Sequence, residues 1–196
     1  MKSDCFKKEF SLIRDKKLRD LVIEYMENYA PDYFYTIPAS SSGKYHPKYT
    51  LGEGGLVRHT KACVAIAEDL LALEQYETFE HDEIISALLV HDTFKQGLDS
   101  AGHTVFEHPI YSAKAFTLFA KEYHPDMIGV AIRVSKLVIT HMGQWYTSKY
   151  AKVKLPKPQT AEEKFVHMCD YLASRKDITV DVGNYGTPKE KEEQQG

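Results

Sequence analysis

The feature that most constrains this chain is an apolar run that ends in charged side chains. In the segment SALLVHDTFKQG (86–97), four apolar residues lead directly into His91 and Asp92, and Lys95 follows one helical turn later. A side chain at the end of an apolar run is normally buried, and a buried charge is costly unless it is paired or bound to a metal ion. An imidazole beside a carboxylate, with a lysine nearby, favours a site that binds metal and phosphate. The pair alone decides nothing, because a second His-Asp pair at positions 81 and 82 is interpreted as the start of the same helix.

Length and composition indicate one globular domain. A chain of 196 residues can bury about 70% of the surface of its unfolded form, and 43% hydrophobic with 27% charged residues is ordinary for a soluble protein. The net charge of −3 gives no global basic field to hold a long nucleic acid. The N-terminus lacks the apolar core of a signal peptide, and no run of about 20 apolar residues exists. We therefore predict a cytoplasmic protein with no membrane span.

Apolar periodicity predicts an all-α chain folded as a compact single-domain helical bundle, since strand signals are nearly absent. The predicted helices cover 5–29, 56–74, 82–92, 109–123, 127–141 and 160–175. The three cysteines (Cys5, Cys63 and Cys169) lack metal-type spacing, and the latter two fall on apolar stripes as expected for buried, reduced thiols. We divide the chain into an N-terminal helix and aromatic, basic loop that packs on the core (1–50), the core (51–180) and a polar, disordered tail (181–196).

Two irregular segments, 33–52 and 142–159, combine lysines and aromatic residues without a single acidic residue. That pairing suits the binding of a phosphate together with stacking of a base. The alternative is a pair of solvated loops whose tyrosines pack on the domain. The side chains that we select for substrate contact are Lys44, Trp145 and Lys149, and the histidines to check are His46 and His103.

Five predicted helices each place an imidazole or a carboxylate at an inward position near a terminus. The six residues are His59, His91, Asp92, His108, His141 and Asp170. One inward histidine is usually a satisfied core residue, but one domain core rarely holds six ionisable groups without a metal. Nitrogen and oxygen donors without sulfur suit a divalent ion such as Mn, Fe, Co, Ni or Zn. Six ligands exceed the needs of one open catalytic site, which indicates two ions.

The order and spacing of His59, then His91-Asp92, then Asp170 resemble the HD superfamily of metal-dependent phosphohydrolases, over about residues 52–177. GEGGLVRHT is similar to the entry of the first ligand helix in that family, and HDTFKQG to its HDxxKG-type element. EHPIYSA and ITHMGQW resemble the two extra histidine motifs of the binuclear branches, and the segment LPKPQTAEEKFVHMCDYLASRKD resembles the closing aspartate helix. The resemblance implies that all six residues are metal ligands and that Asp92 bridges two ions.

The chain departs from two branches of that family. The cyclic-di-GMP phosphodiesterases continue the second extra motif as HHExxDGxGYP, whereas this chain reads HMGQWYTSKY, with Met142 in place of the second histidine. That activity is therefore not expected. The nucleic-acid-binding barrel of the exoribonuclease branch is also missing, since the first 50 residues are too few to hold one.

The resemblance implies an enzyme that hydrolyses a phosphoester bond of a nucleotide or a related small phosphate compound with metal-activated water. Asp92 and Lys95 would be catalytic, the lysine by neutralising charge on the phosphoryl oxygens; its alternative role is that of a solvated loop lysine. Arg58, next to the first ligand, would contact phosphate or serve at the surface. The cofactor would be two divalent ions, with Mn, Fe, Co, Ni, Zn and Mg not distinguished by the sequence.

Three other readings stay open at this point. The domain could be a phosphodiesterase or exonuclease that acts on short oligonucleotides or cyclic nucleotides. It could be a metal-bound nucleotide sensor without turnover, or a helical interaction module with fortuitous histidines. The net charge of −3 favours a small substrate over long nucleic acid, and the N-terminal helix offers a surface for a homodimer.

Overall fold

The computed structural model describes residues 1–149, 151 and 153–186 of the chain. Within these residues there is no β-strand, so the all-α prediction is confirmed. Short 3-10 turns connect the α-helices. The helices are α1 (Lys7–Phe10), α2 (Lys16–Asn28), α3 (Gly55–Leu71), α4 (His81–Val90), α5 (His108–Tyr123), α6 (Ile128–Ile139) and α7 (Ala161–Ala173).

Helix α4 lies at the centre of the bundle. Every residue from Glu83 to Val90 is buried, as its apolar run predicts, and the helix packs against α2, α3, α5, α6 and α7. A helix that is apolar on all sides must be enclosed by other elements. Glu83 is the one carboxylate in this buried stretch, and it pairs with Arg133 of α6 at Nε–Oε1 3.0 Å. The end of α4 therefore delivers the residues that follow it, His91 and Asp92, into the middle of the molecule.

The turn after α4 is held from three directions. The hydroxyl group of Tyr25 on α2 lies 3.0 Å from the hydroxyl oxygen of Thr93, and the backbone N–H of Phe94 donates to Ser112 Oγ of α5 at 3.1 Å. The Tyr33 hydroxyl donates to the carbonyl of Gly97 at 2.7 Å. These bonds fix the backbone that follows Asp92, so the carboxylate is positioned by the packed bundle rather than by a free loop.

The prediction of one helix over 5–29 is wrong. The chain forms a 3-10 turn over Lys2–Phe6 and the short α1, and α2 begins at Lys16. The break occurs because Asp15 caps α2, its side chain accepting the N–H groups of Lys17 and Leu18. The separate N-terminal segment buries Phe6 and Ile13 completely.

Helix α3 begins at the glycine pair, as predicted. Gly54 is the N-cap residue with φ +68°, a conformation that favours glycine. A Cβ on Gly55 would overlap the carbonyl group of Thr50. The absence of side chains therefore lets the preceding loop lie directly on the start of α3.

The tail prediction falls partly inside the described residues. Residues 181–186 are described as coil and turn, and Val182 and Tyr185 pack against the core. Residues 187–196 lie outside the described residues, as do Tyr150 and Lys152 of the second irregular segment. None of the helices in the described part of the chain is both long and apolar enough to cross a membrane.

Candidate metal centre

The structure brings all six predicted ligands together where the helices meet. His59 lies near the start of α3, His91 and Asp92 follow α4, His108 begins α5, His141 follows α6, and Asp170 lies on α7. The four histidines and Asp92 are at most 1% exposed, whereas the Asp170 side chain retains 19% exposure. Side chains from five helical elements therefore form one cluster with a single open edge at Asp170.

The two carboxylate oxygens of Asp92 face different groups of nitrogen donors. Oδ2 lies 3.3 Å from His91 Nε2 and 3.9 Å from His59 Nε2. Oδ1 lies 3.0 Å from His108 Nε2 and 3.7 Å from His141 Nε2. We call these groups the Oδ2 side and the Oδ1 side of Asp92.

Asp170 closes the Oδ2 side. Its Oδ1 lies 3.0 Å from His59 Nε2 and 3.8 Å from His91 Nε2. Lys95 also belongs to this side, with its Nζ 2.5 Å from Asp92 Oδ2. The predicted catalytic pair of Asp92 and Lys95 is thus a direct ion pair in the structure.

The Oδ1 side contains only imidazoles. The Nε2 atoms of His108 and His141 lie 3.1 Å apart. The backbone of His141 is held by a neighbouring side chain, since His167 donates from Nδ1 to the His141 carbonyl at 2.7 Å. Gly143, with φ +56°, lies so close to the His167 ring that a Cβ would overlap it.

Backbone carbonyls orient three of the imidazoles. In each case Nδ1 lies within hydrogen-bond distance of the carbonyl three residues earlier: His91 to Leu88 at 2.7 Å, His108 to Val105 at 2.7 Å and His141 to Val138 at 2.8 Å. The Nδ1–H tautomer that these bonds require leaves the Nε2 lone pairs directed at Asp92. Metal-ligating histidines are commonly oriented in this way.

The unpaired atoms of the cluster fit a cation. His91 Nε2 and Asp92 Oδ1 are buried and have no hydrogen-bond partner. With protons on Nδ1, the Nε2 lone pairs of His108 and His141 point at Oδ1 and at each other, which is unfavourable unless a positive charge lies between them. The cluster contains two carboxylates and one ammonium group. This excess of negative charge also favours binding of a cation.

The protonation states of His141, Asp92 and Asp170 favour ligation. Burial and the neighbouring His91 and His108 rings together lower the pKa of His141 to about 3, so the ring is neutral. Burial opposes ionisation of Asp92, but Lys95 and His91 hold the pKa of its carboxyl well below the usual value. The hydrogen bond from His59 likewise outweighs burial and lowers the pKa of Asp170. Neutral imidazoles and ionised carboxylates are the forms that bind metal.

Cys63 joins the ligand group on the Oδ2 side. It is fully buried, as predicted, and its Sγ lies 3.5 Å from His59 Nε2. One potential ligand atom from each of His59, Cys63, His91 and Asp170 lies within 4.8 Å of the others, and a second such group consists of His91, Asp92 and His141. These buried groups could hold a metal ion.

A cavity of about 410 Å³ opens onto the cluster, and its volume is typical of a small-molecule site. Asp170, His108 and Lys95 form its inner wall. Its outer wall consists of Ala39, Ser40, Tyr45, His46, Thr104, Met142, Trp145, Ser174 and Arg175. The cavity lining thus combines two cationic side chains, Lys95 and Arg175, with the aromatic rings of Tyr45 and Trp145.

The predicted substrate contacts divide into two groups. Trp145 lines the cavity, and Lys44 lies over the ring of Tyr45, another lining residue, at 5.1 Å. Lys149 is exposed and is not among the lining residues. Arg58 is 2% exposed, and its Nη2 donates to Leu51 and its Nε to Tyr49. A further bond joins Nη1 to Glu53, so the guanidinium is occupied by the backbone, which argues against the predicted phosphate contact.

The two histidines selected for checking also differ. His46 lines the cavity and lies 5.8 Å from the His59 ring, centroid to centroid. His103 is exposed on a turn, with Nδ1 2.9 Å from the Ala101 carbonyl, and does not line the cavity. The aromatic residues of segment 33–52 are divided in the same way: Phe34 and Tyr35 are buried in the core, as the alternative interpretation expected, whereas Tyr45 lines the cavity.

Two features of the site were missed from the sequence. Arg175 reaches the cavity by lying over the ring of Tyr171 at 4.4 Å, and Trp145 stacks on the same tyrosine at 5.7 Å and 20°. The four-residue spacing of Tyr171 and Arg175 within the predicted helix 160–175 was a usable signal, although α7 itself ends at Ala173. Cys63 likewise follows His59 by four residues, a spacing that places both side chains on one face of α3.

No protein-family model matches this chain, and searches of curated proteins and of solved structures find no match to it.

Proposed function

We propose that this chain is a small HD-type phosphohydrolase that cleaves a phosphoester bond of a nucleotide or a related small phosphate compound. The observation that carries the proposal is the position of Asp92 between two sets of nitrogen donors, with His59 and His91 near Oδ2 and His108 and His141 near Oδ1. One carboxylate shared by two donor sets is the arrangement that a two-ion hydrolytic site requires. The order of these residues along the chain supports the HD assignment.

The residues present fit a pair of divalent ions. His59, His91 and Asp170 would hold one ion, His108 and His141 the other, and Asp92 both. Bound divalent ions lower the pKa of water toward about 7 and polarise phosphoryl oxygens. The imidazole and carboxylate donors suit Mn, Fe, Co, Ni or Zn.

Two cationic side chains of the cavity lining would bind the phosphate. Burial alone lowers the pKa of Lys95, but Asp92 and Asp170 raise it above its usual value, so the ammonium remains charged. It lies on the cavity wall together with Arg175. Both cations can therefore orient a phosphate and neutralise the charge that develops on its oxygens during hydrolysis.

The rim of the cavity accounts for the rest of the substrate. Trp145 and Tyr45 are 44% and 56% exposed, and large aromatic side chains with that much free surface are suited to stacking on a base. The 410 Å³ cavity accommodates a compact ligand. We therefore favour a mononucleotide or a cyclic nucleotide as the substrate.

The test is a hydrolysis screen with the full chain. Mononucleotides, cyclic nucleotides and short oligonucleotides are incubated with Mn, Mg, Co, Ni or Zn, and the products are identified by chromatography and mass spectrometry. We expect metal-dependent release of a defined product that is lost in Asp92→Ala and retained in Asp99→Ala, whose exposed carboxylate lies seven residues further on. Hydrolysis that survives Asp92→Ala, or that persists in excess chelator, would refute the proposal.

One observation favours a second candidate, a nucleotide sensor that binds without turnover. Lys95 lies 2.5 Å from Asp92 Oδ2 and so competes with any ion for that oxygen. A protein that keeps this pair would bind nucleotide in the cavity but would not assemble both ions. Saturable nucleotide binding by calorimetry, with no product under any of the metal conditions, would favour the sensor over the hydrolase.

A further inference from the structure

We propose that Cys63 is a thiolate ligand of the ion on the Oδ2 side of Asp92, together with His59, His91 and Asp170. The inference rests on the metal-binding half of the proposed function and does not depend on hydrolysis. It gives the two sides of Asp92 different donor chemistry, with sulfur on one side and only nitrogen and oxygen on the other.

The distances fit a single ion, to which Asp92 would contribute a fifth donor. Zinc bonds are about 2.0–2.1 Å long to nitrogen or oxygen and about 2.3 Å long to sulfur. At tetrahedral angles, two nitrogen or oxygen ligands then lie about 3.3 Å apart, and a nitrogen and a sulfur lie about 3.6 Å apart. Cys63 Sγ lies 3.5 Å from His59 Nε2. Asp170 Oδ1 lies 3.0 Å from His59 Nε2 and 3.8 Å from His91 Nε2. These three distances are therefore close to those between ligands of one ion.

An unpaired atom in the same group supplies independent evidence for a ligand. His91 is 0% exposed, and its Nε2 has no hydrogen-bond partner. Its Nδ1 lies 2.7 Å from the Leu88 carbonyl, so a proton on Nδ1 leaves the Nε2 lone pair facing Asp92 Oδ2 at 3.3 Å and Asp170 Oδ1 at 3.8 Å. If Cys63 only filled space in the core, His91 Nε2 would stay without a partner, because the polar groups around it are the other potential ligands.

Cys169 shows what a buried thiol without this role looks like. It is 0% exposed, like Cys63, and precedes the ligand Asp170 directly in the sequence. Nevertheless it belongs to neither group of potential ligand atoms. Burial and proximity along the chain therefore do not by themselves place a cysteine in the cluster, whereas the position of Cys63 one turn after His59 does.

The donor set determines which ions are favoured. Thiolate with imidazole selects Zn, and by the same softness Co or Fe(II), over Mg and Mn. When the ion binds, the S–H bond of Cys63 breaks, its proton passes to solvent, and the sulfur electron pair forms the bond to the metal. The Oδ2 side should therefore retain zinc in the presence of a large excess of magnesium.

The experiment is X-ray absorption spectroscopy at the zinc edge of the full chain loaded with two equivalents of zinc, so that both sides of Asp92 are filled. We expect one sulfur neighbour for every two zinc ions, at about 2.3 Å, among nitrogen and oxygen neighbours at about 2.0–2.1 Å. The cobalt-loaded protein should show an intense near-ultraviolet thiolate charge-transfer absorption that Cys63→Ser abolishes and Cys169→Ser retains. Cys63→Ser should also weaken zinc binding by about tenfold or more.

The wild-type spectrum decides the question even if Cys63→Ser does not fold. A zinc neighbourhood without sulfur, a charge-transfer band that survives Cys63→Ser, or a chain that binds no zinc at all would overturn the inference. The outcome is separate from that of the proposed function. A sulfur-free centre in a protein that hydrolyses nucleotides would refute only the role of Cys63, and a sulfur-containing centre without turnover would refute only the hydrolase.

Discussion

The two sides of Asp92 differ in how their buried charge is compensated. On the Oδ2 side, Lys95 pairs with the carboxylate at 2.5 Å, and His59 lies 3.0 Å from Asp170 in a hydrogen bond. On the Oδ1 side, His108 Nε2 lies 3.0 Å away, yet the oxygen has no hydrogen-bond partner. One side is largely neutralised by the protein itself, and the other is not.

This difference indicates how the centre can exist before any ion binds. A buried carboxylate with no partner would be strongly destabilising, so Lys95 acts as the internal counter-ion of Asp92. The Oδ1 side instead keeps its imidazoles neutral and preoriented by carbonyl groups. An ion on the Oδ2 side must compete with an ammonium group, whereas an ion on the Oδ1 side meets only lone pairs.

The largest expected effect comes from removing one imidazole on each side. We expect His59→Ala and His141→Ala each to lose one bound ion of two and to lower hydrolysis by about 10²-fold or more, because each ion contributes several kcal/mol to the transition state. Metal content by mass spectrometry after dialysis, measured beside the hydrolysis rate, checks this. His103→Ala, which removes an exposed imidazole, is the control. If either cluster variant loses both ions or neither, Asp92 does not have two independent sides.

A smaller effect is expected from Lys95→Met, which removes the counter-ion and keeps much of the side-chain volume. Without the ammonium group, Asp92 Oδ2 is uncompensated, and the ion on that side should bind about tenfold more tightly or better. Binding on the Oδ1 side should change little. Isothermal titration with zinc and with manganese separates the two sides, and Lys136→Met, at an exposed position on α6, is the control. Weaker binding on the Oδ2 side would show that Lys95 supports the ion rather than competes with it.

Much of this centre was predictable because helical periodicity places its residues inward. The apolar run of α4 predicts burial of His91 and Asp92, and the stripe of α6 extends by three residues to His141. The first helix was predicted too long because apolar periodicity continues across Asp15, whose capping role becomes clear only from the direction that the chain takes next.

The rim of the cavity was less predictable because it forms between distant segments. Arg58 is adjacent to His59 in sequence, but neighbouring residues on a helix do not face the same way, and its guanidinium binds carbonyls such as that of Leu51. Trp145 and Arg175 both contact the ring of Tyr171. No local sequence pattern predicts the contact between Trp145 and Tyr171, which lie far apart in the chain. Local spacing therefore predicted the ligands, whereas tertiary packing decides which side chains surround the substrate.

The smallest expected effect is on the pH dependence of stability in the chelated, metal-free protein, where the two sides should act in opposite directions. Burial lowers the pKa of His141 to about 3, so below about pH 6.5 the unfolded chain binds a proton that the folded protein does not. Stability should then fall on acidification by up to about 1.4 kcal/mol per pH unit. Burial also lowers the pKa of His46, to about 4, and this less enclosed ring adds a smaller contribution of the same sign.

His91 on the Oδ2 side should have the opposite effect. Burial alone lowers its pKa, but Asp92 and Asp170 raise it above the usual 6.5. Its contribution is therefore fully present below pH 6.5 and is lost as the pH rises through the folded-state value. The metal-free protein should be most stable near neutral pH, with an acid limb that depends on His141 and an alkaline limb that depends on His91.

Urea unfolding between about pH 5 and pH 8 measures both limbs. This range lies above the carboxyl titrations and below the thiol titrations of the unfolded chain. His141→Gln should flatten the acid limb and leave the alkaline limb, and His91→Gln should do the reverse. His103→Gln, on an exposed turn, should leave the whole profile unchanged. If both cluster variants alter the same limb, the charge difference between the two sides of Asp92 is absent in the metal-free protein. Saturation with zinc should abolish the alkaline limb and steepen the acid limb in the wild type, because a coordinated imidazole accepts no proton in the folded protein whereas the unfolded chain still does.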